Sequence, residues 1–149
     1  MLVLNRVTFI GRLTADPDPP KRLKNDSRVI RFPFVVNKIP RKDTNGKYLP
    51  DPNPMYIDCE AFTNPTDRYQ LVDIIAEYCA RGQQLYIEGE LTFKQWQDKK
   101  GQPRSKHILT VKHIQMFETE RKRKGKSEIR RHPGQDAGLT VVYMSSQST

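Results

Sequence analysis

The chain has 149 residues, a length that predicts one compact domain followed by a tail. Its 26 Lys and Arg residues against 17 Asp and Glu residues give a formal net charge of +9, which favours an anionic partner such as nucleic acid or an anionic lipid surface. No apolar stretch approaches the ~18 residues that a membrane-spanning helix needs, which excludes a helical membrane protein.

The chain carries two cysteines, Cys59 in a strand-like run and Cys79 at the end of a helical run. Buried free thiols are predicted at both positions rather than a disulfide. The first residues enter strand-like sequence at once and leave no room for a signal or transit peptide. We therefore expect a protein of the reducing cytoplasm.

Two strands are predicted before residue 40. Residues 3–13 form the first, with Gly11 placed to relieve a sharp bend of the kind that small barrels need. Residues 28–38 alternate in polarity and predict a half-buried second strand. Pro33 indicates an edge position or a bulge in that strand, because proline cannot donate to a ladder. The apolar face of the second strand carries Ile30, Phe32, Phe34 and Val36.

A projecting loop separates the second strand from the third. Residues 41–54 contain Asn45–Gly46 and three prolines, which predicts a long hairpin-type loop. Residues 55–62 predict the third strand. One face of that strand carries Ile57, Cys59 and Ala61, and the other carries Tyr56, Asp58, Glu60 and Phe62.

A helix follows the third strand. Asn64 can cap it, Pro65 suits its first position, and Asp67 favours the helix dipole. Gly82 is expected to close the helix as its C-terminal glycine. An apolar stripe at i, i+3, i+4 and i+7 is made by Leu71, Ile74, Ile75 and Tyr78.

Two more strands, residues 84–96 and 104–117, are joined by a hairpin turn at residues 98–101. On the first of them the expected core residues are Leu85, Ile87, Leu91 and Phe93, and the opposite face carries Tyr86, Glu88, Glu90, Thr92, Lys94 and Trp96. The resulting fold class is all-β: a five-stranded OB-fold barrel with one α-helix between strands 3 and 4.

The composition changes after Glu118. Residues 1–118 carry 19 Lys and Arg against 14 Asp and Glu, whereas residues 119–149 carry 7 against 3. We expect a folded domain over residues 1–118 and a basic, flexible C-terminal tail over residues 119–149. The charge runs of this tail are at residues 120–126 and 130–134, and residues 139–144 form a short β-prone patch that could dock on a neighbour.

Aromatic rings near cations point to nucleic acid. Trp96, the one tryptophan of the chain, stands beside Lys94 and a basic turn and could serve as a base-stacking platform in a positive field. The alternative is that it caps the end of the barrel core. Tyr56 and Phe62 share one strand face, where they could stack on bases or pack under a neighbouring loop or helix.

Several cations are candidate phosphate contacts, although a plain solvated face would show the same residues. Arg6 and Arg12 lie in the first strand. In the projecting loop the candidates are Lys38, Arg41, Lys42 and Lys47.

Catalytic and metal-binding constellations are not evident. The histidines at 107, 113 and 132 have no Cys or acidic partner at metal-ligand spacing. The sequence also shows no phosphate-cradling glycine loop and no nucleophile elbow. We therefore predict a binding protein with no enzyme activity, no cofactor and no metal.

Five motifs together resemble the bacterial single-stranded DNA-binding protein family over residues 4–118. The strand motifs are N-R-V-T-F-I-G-R-L-T-A-D-P at residues 5–17, R-F-P-F-V-V-N-K at 31–38 and Y-I-D-C-E-A-F at 56–62. The family's helix-to-strand junction is matched by A-E-Y-C-A-R-G-Q-Q-L-Y-I-E-G-E-L at residues 76–91. Its hairpin is matched by W-Q-D-K-K-G-Q-P-R at residues 96–104.

The resemblance implies an OB-fold homotetramer that wraps single-stranded DNA without sequence preference. It implies work in DNA replication, recombination and repair, in the cytoplasm at the bacterial nucleoid, with no membrane partner. Carried over position by position, the stacking aromatics fall on Tyr56, Phe62 and Trp96, and the basic contacts fall on Arg6, Arg12, Lys94 and Arg104.

The chain departs from the family pattern at four places. Ile39–Pro40 falls where many members have a tryptophan, and Ser105 stands where a tyrosine often precedes the last strand. Asp58 and Glu60 lie on the aromatic face, where they repel phosphates unless neutralised. The chain ends in Ser-Ser-Gln-Ser-Thr instead of the usual acidic tip that recruits replication and repair proteins, as in a specialised or mobile-element paralogue.

Three alternatives stay open at this point. A primosome-type OB-fold accessory protein would form a dimer and bind a helicase or primase more firmly than DNA. An RNA-binding or scaffold OB protein would use the same positive surface for RNA or an acidic protein. A nuclease dependent on a divalent metal is the third.

Overall fold

Five long strands close into a barrel in this computed structural model, which describes residues 1–118 and 140–145. In chain order, the elements are β1 (Val7–Leu13), β2 (Lys21–Arg22), β3 (Arg28–Val36), β4 (Arg41–Lys42), β5 (Tyr48–Leu49), β6 (Met55–Thr63), α1 (Leu71–Tyr78), β7 (Gln84–Gln97), β8 (Pro103–Glu118) and β9 (Thr140–Ser145). Within the described ranges no helix is long and apolar enough to cross a bilayer.

The ring closes because β1 pairs on both of its edges. β1 runs antiparallel to β7 and to β3, β3 runs antiparallel to β6, β6 runs parallel to β8, and β8 returns antiparallel to β7. Arg12 is paired with both Gln84 and Val35, so the partner change occurs beside Gly11. A Cβ at Gly11 would lie 2.2 Å from the carbonyl oxygen of Val35, which explains the glycine. The predicted five-stranded OB-fold layout, with one helix between the third and fourth barrel strands, is confirmed.

The barrel interior holds the apolar face that alternation predicted for β3. Ile30, Phe32 and Phe34 are each buried, and the rings of Phe32 and Phe34 meet edge to face with centroids 6.4 Å apart. Pro33 lies between the β2 and β1 pairings of this strand, so the missing N–H falls where β3 changes neighbours. Neither Cys59 nor Cys79 forms a disulfide and both are buried, as predicted, and burial raises the pKa of the Cys59 thiol.

The first strand is shorter than predicted. It begins at Val7 rather than at residue 3, and residues 1–4 are exposed. The Asn5 side chain takes the place of further pairing: its Nδ2 donates to the Leu91 carbonyl at 2.8 Å, and the Leu91 N–H donates to Asn5 Oδ1 at 3.0 Å.

The helix also begins later than predicted, at Leu71. Asn64 does not cap it, because residues 64–67 form a separate turn in which the Asn64 N–H donates to Asp67 Oδ2 at 2.9 Å. Thr63 Oγ1 accepts from the Val72 N–H at 2.9 Å and so satisfies the helix start from the end of β6. Gly82 does not close the helix either, since the helix ends at Tyr78 and Gly82 lies in the turn that follows.

We expect Thr63→Val to destabilise the domain by about 1 kcal/mol, because the buried N–H of Val72 would lose the Thr63 hydroxyl as its acceptor at nearly constant side-chain volume. Thr63→Ser keeps the hydroxyl and should lose less. Urea unfolding of both variants measures the difference. A Val variant as stable as the wild type would show that this hydrogen bond does not hold the helix start.

An ion pair fastens the helix to the barrel. Arg28 on β3 donates from both terminal nitrogens to Asp73 on α1, at 2.5 and 2.6 Å. This hydrogen bonding holds the pKa of Asp73 below its usual value. The stabilisation is therefore present above the ordinary pKa of an aspartate and is lost as the pH falls through the lowered one.

The β7–β8 hairpin leaves the barrel after a bulge. The register shifts between Glu88, which faces His113, and Gly89, which faces Val111. We call residues 91–107 the arm. Leu91 and Phe93 were expected in the core, and that prediction is wrong: they are 38% and 51% exposed, because the arm projects past the strands that would cover them.

The β-prone patch of the predicted tail forms β9, which runs antiparallel to β8 in the same chain. The basic runs at residues 120–126 and 130–134 lie outside the described residues. The predicted projecting loop contains the small β4–β5 sheet.

Candidate nucleic-acid interface

An open cleft of about 610 Å³ lies between the arm and the outer faces of β3 and β6. It is present because the arm projects beyond the barrel and leaves the outer face of β6 uncovered beside it. We call this the arm cleft. Its charged and amide lining residues, together with the exposed ring of Trp96, are Asp18, Arg31, Asp58, Glu60, Lys94, Gln95, Trp96 and Lys106.

Trp96 is the exposed aromatic residue of the arm cleft. Its side chain is 45% exposed on the arm, so it does not cap the barrel core. Lys106 Nζ lies 5.7 Å from the centroid of its ring, a cation–π contact, and the same ammonium lies 2.5 Å from Asp58 Oδ2 on β6. A flat ring held in this way beside cations can stack on a nucleobase.

Tyr56 and Phe62 lie at opposite ends of the outer face of β6 and do not line the arm cleft. Tyr56 is 69% exposed, whereas Phe62 is half-buried. The six residue steps from Tyr56 to Phe62 span about 20 Å along a strand. The two rings therefore flank the carboxylates of Asp58 and Glu60 on one continuous surface, with Trp96 beside its middle.

Both carboxylates on this face are neutralised. The Glu60 side chain is only 3% exposed and lies between Arg31 Nε at 3.3 Å and Lys94 Nζ at 3.0 Å. Among the residues that the structure describes, Glu60 Oε1 has this ion pair with Lys94 but accepts no hydrogen bond. Because Asp58 is paired with Lys106, the phosphate repulsion that the sequence suggested is offset inside the protein.

Arg104 faces Trp96 across the hairpin and binds Asp98 in the turn, with Nε 3.1 Å from Asp98 Oδ2. Asp98 also accepts the backbone N–H groups of Gln102 and Lys100, both at 2.9 Å. The hydrogen bond from the Gln102 N–H lowers the pKa of Asp98 most, and those from the Lys100 N–H and from Arg104 lower it further. The tip of the arm is therefore braced by its own charges.

The remaining predicted cations lie on other surfaces. Arg12 and Lys38 line a second, wider groove of about 950 Å³ between β1 and the β4–β5 loop. Arg6 lies outside both clefts, with Nη2 3.0 Å from Glu88 Oε1. Two hydrogen bonds lower the pKa of Glu88, and the one from Arg6 has a larger effect than the one from Tyr86.

Three residues of these surfaces were missed by the sequence analysis. Arg31 and Lys106 line the arm cleft, and Tyr48 is exposed in the second groove with Lys42 Nζ 4.8 Å from its ring centroid. Period-2 alternation could have found Lys106, which lies two residues after Arg104 on the same strand face. In the part of the chain that the structure describes, no His, Cys, Asp or Glu group could hold a metal ion.

Comparisons with known proteins agree on a family. The model of the single-strand binding protein family matches residues 4–117. A single-stranded DNA-binding protein of Wolinella succinogenes is 26% identical over 77% of this chain and 65% of its own length. Single-stranded DNA-binding protein 1 of Xylella fastidiosa is 27% identical over 78% of this chain and 79% of its own length.

A solved structure, the Plasmodium falciparum SSB complex with ssDNA, matches with a TM-score of 0.57 and 22% identity. The match covers 74% of this chain and 89% of the chain in that structure. At this identity it supports the fold alone. The chain spans 65% of the length of the Wolinella relative and 62% of that of a relative from Helicobacter hepaticus.

Proposed function

The chain belongs to the single-strand binding protein family, and we propose that it binds single-stranded DNA without a sequence requirement, by stacking bases and contacting phosphates. Trp96 carries this proposal: it is a half-exposed ring on a projecting arm, beside Lys106 and opposite Arg104. Base–aromatic stacking contributes about 1–3 kcal/mol per base and tolerates every base.

The strand would run along the outer face of β6, which presents Tyr56 and Phe62, and cross the arm at Trp96. Phosphates would be met by the exposed cations Arg6, Arg12, Lys38 and Arg104, whereas Lys94 would line the base-binding cleft while it stays paired with Glu60. The role of these residues would be to hold and protect unpaired strands during DNA replication, recombination and repair, in the cytoplasm at the nucleoid. The proposal contains no catalytic step and no cofactor.

We also propose that the chain works as a homo-oligomer, as a tetramer in the family pattern. The exposed Leu91 and Phe93 support this, because the arm presents them together on the face opposite Trp96. Apolar side chains of this size on a projecting hairpin are better covered than left in water.

Binding to oligo-dT of increasing length, with the mass of each complex measured, tests the function and the assembly together. We expect tight, salt-dependent binding, a protein mass of four chains, and strong preference over duplex DNA and poly-U in competition. A dimer that binds DNA weakly would favour the primosome-type alternative. Equal binding to poly-U would favour the RNA-binding alternative.

A further inference from the structure

The arm cleft carries balanced charge on a protein that is strongly basic. Its lining has three carboxylates, on Asp18, Asp58 and Glu60, and three cations, on Arg31, Lys94 and Lys106. The whole chain, in contrast, has a formal net charge of +9. A neutral cleft gives little attraction to a phosphate, whose binding depends on net positive charge and counterion release.

The cations of the arm cleft are already engaged. Lys94 and Arg31 hold the buried Glu60, and Lys106 holds Asp58. Moving Lys94 to a phosphate would leave the buried Glu60 carboxylate with less compensation, and uncompensated buried charge is costly. The cleft is therefore better suited to an uncharged group than to the DNA backbone.

Asp58 offers an acceptor to such a group. Its side chain is 53% exposed, and one oxygen, Oδ2, binds Lys106. Within the described residues the other oxygen, Oδ1, makes no hydrogen bond. The Lys106 ammonium group contacts both Asp58 and the ring of Trp96, so this carboxylate lies close to the ring on which a base would stack.

We propose, on the basis of the proposed function, that the arm cleft holds a nucleobase and that Asp58 accepts a hydrogen bond from its exocyclic amino group. Cytosine carries such a group at N4, and Asp and Glu accept from it. Thymine offers only the N3–H as a donor. The carbonyl oxygens on both sides of this N–H repel a carboxylate. The chain then favours cytosine over thymine at this position, while stacking still admits either base.

The test compares affinities for oligo-dC and oligo-dT of one length at one salt concentration, at mildly alkaline pH where cytosine is unprotonated. We expect Asp58→Ala to lower the dC-to-dT preference of the wild type by about threefold or more. Asp58→Asn keeps a neutral oxygen acceptor and should retain part of the preference. Glu77→Gln, on an exposed position of α1, removes the same charge away from the cleft and should leave the preference unchanged.

The salt dependence of binding gives a second readout. Both Asp58 variants leave the charge of Lys106 without its carboxylate, so the slope of log affinity against log salt should steepen by about 0.7 for each additional phosphate that the protein neutralises. If Asp58→Ala strengthens binding to both oligonucleotides equally, Asp58 acts only by repelling phosphate and the inference is overturned. If the wild-type chain binds neither oligonucleotide better than duplex DNA, the proposed function itself fails.

Discussion

Trp96→Ala is expected to weaken oligo-dT binding by more than tenfold at fixed salt. The substitution removes the stacking surface of the arm, and one stacked base contributes about 1–3 kcal/mol. It also removes the ring beside which Lys106 lies. Fold stability should change little, because the side chain is 45% exposed and lies outside the barrel core. A fluorescence titration with a labelled oligonucleotide measures the loss.

Two further variants separate stacking from general surface effects. Trp96→Phe keeps a ring and should retain most of the affinity. Tyr69→Ala removes a ring of similar exposure, 41%, which also lies near a cation, Arg68, but outside the arm cleft. We expect that variant to bind like the wild type. Unchanged affinity in Trp96→Ala would reject the stacking role of the arm.

Much of the barrel could be predicted because strand alternation depends on which side chains face the core. The alternation of β3 and β6 placed Phe34 and Ala61 inside correctly. The same alternation continues through Leu91 and Phe93, but it carries no information about where a strand leaves the barrel. The exposure of these two residues follows from the lengths of the neighbouring strands, which are set by tertiary pairing.

The charge pairs of the site could not be predicted for a related reason. Glu60 was recognised as a carboxylate on the aromatic face, and its neutralisation was left open. Its partners Arg31 and Lys94 come from two other strands, and only the strand order brings them to it. The helix start was misplaced because Asn64 and Pro65 form a good local signal, whereas the hydroxyl that satisfies the helix belongs to Thr63 at the end of β6.

Gly89→Ala is expected to destabilise the domain by about 3 kcal/mol, at the upper end of what overpacking usually costs. A Cβ at this position would lie 2.0 Å from the carbonyl oxygen of Thr110, a backbone atom that cannot turn aside. The strands must separate locally to admit it, and this occurs at the bulge from which the arm departs. Urea unfolding should show the loss.

The same variant links the bulge to binding. The bulge sets the direction of the arm. At a temperature where both proteins are fully folded, Gly89→Ala should therefore bind oligo-dT more weakly than the wild type. Gly46→Ala is the control: its added Cβ meets nothing within 4 Å, and its φ of +78° costs about 1 kcal/mol in a loop away from the arm. Wild-type stability and affinity in Gly89→Ala would mean that the bulge can shift freely, and that the position of Trp96 relative to β6 does not depend on it.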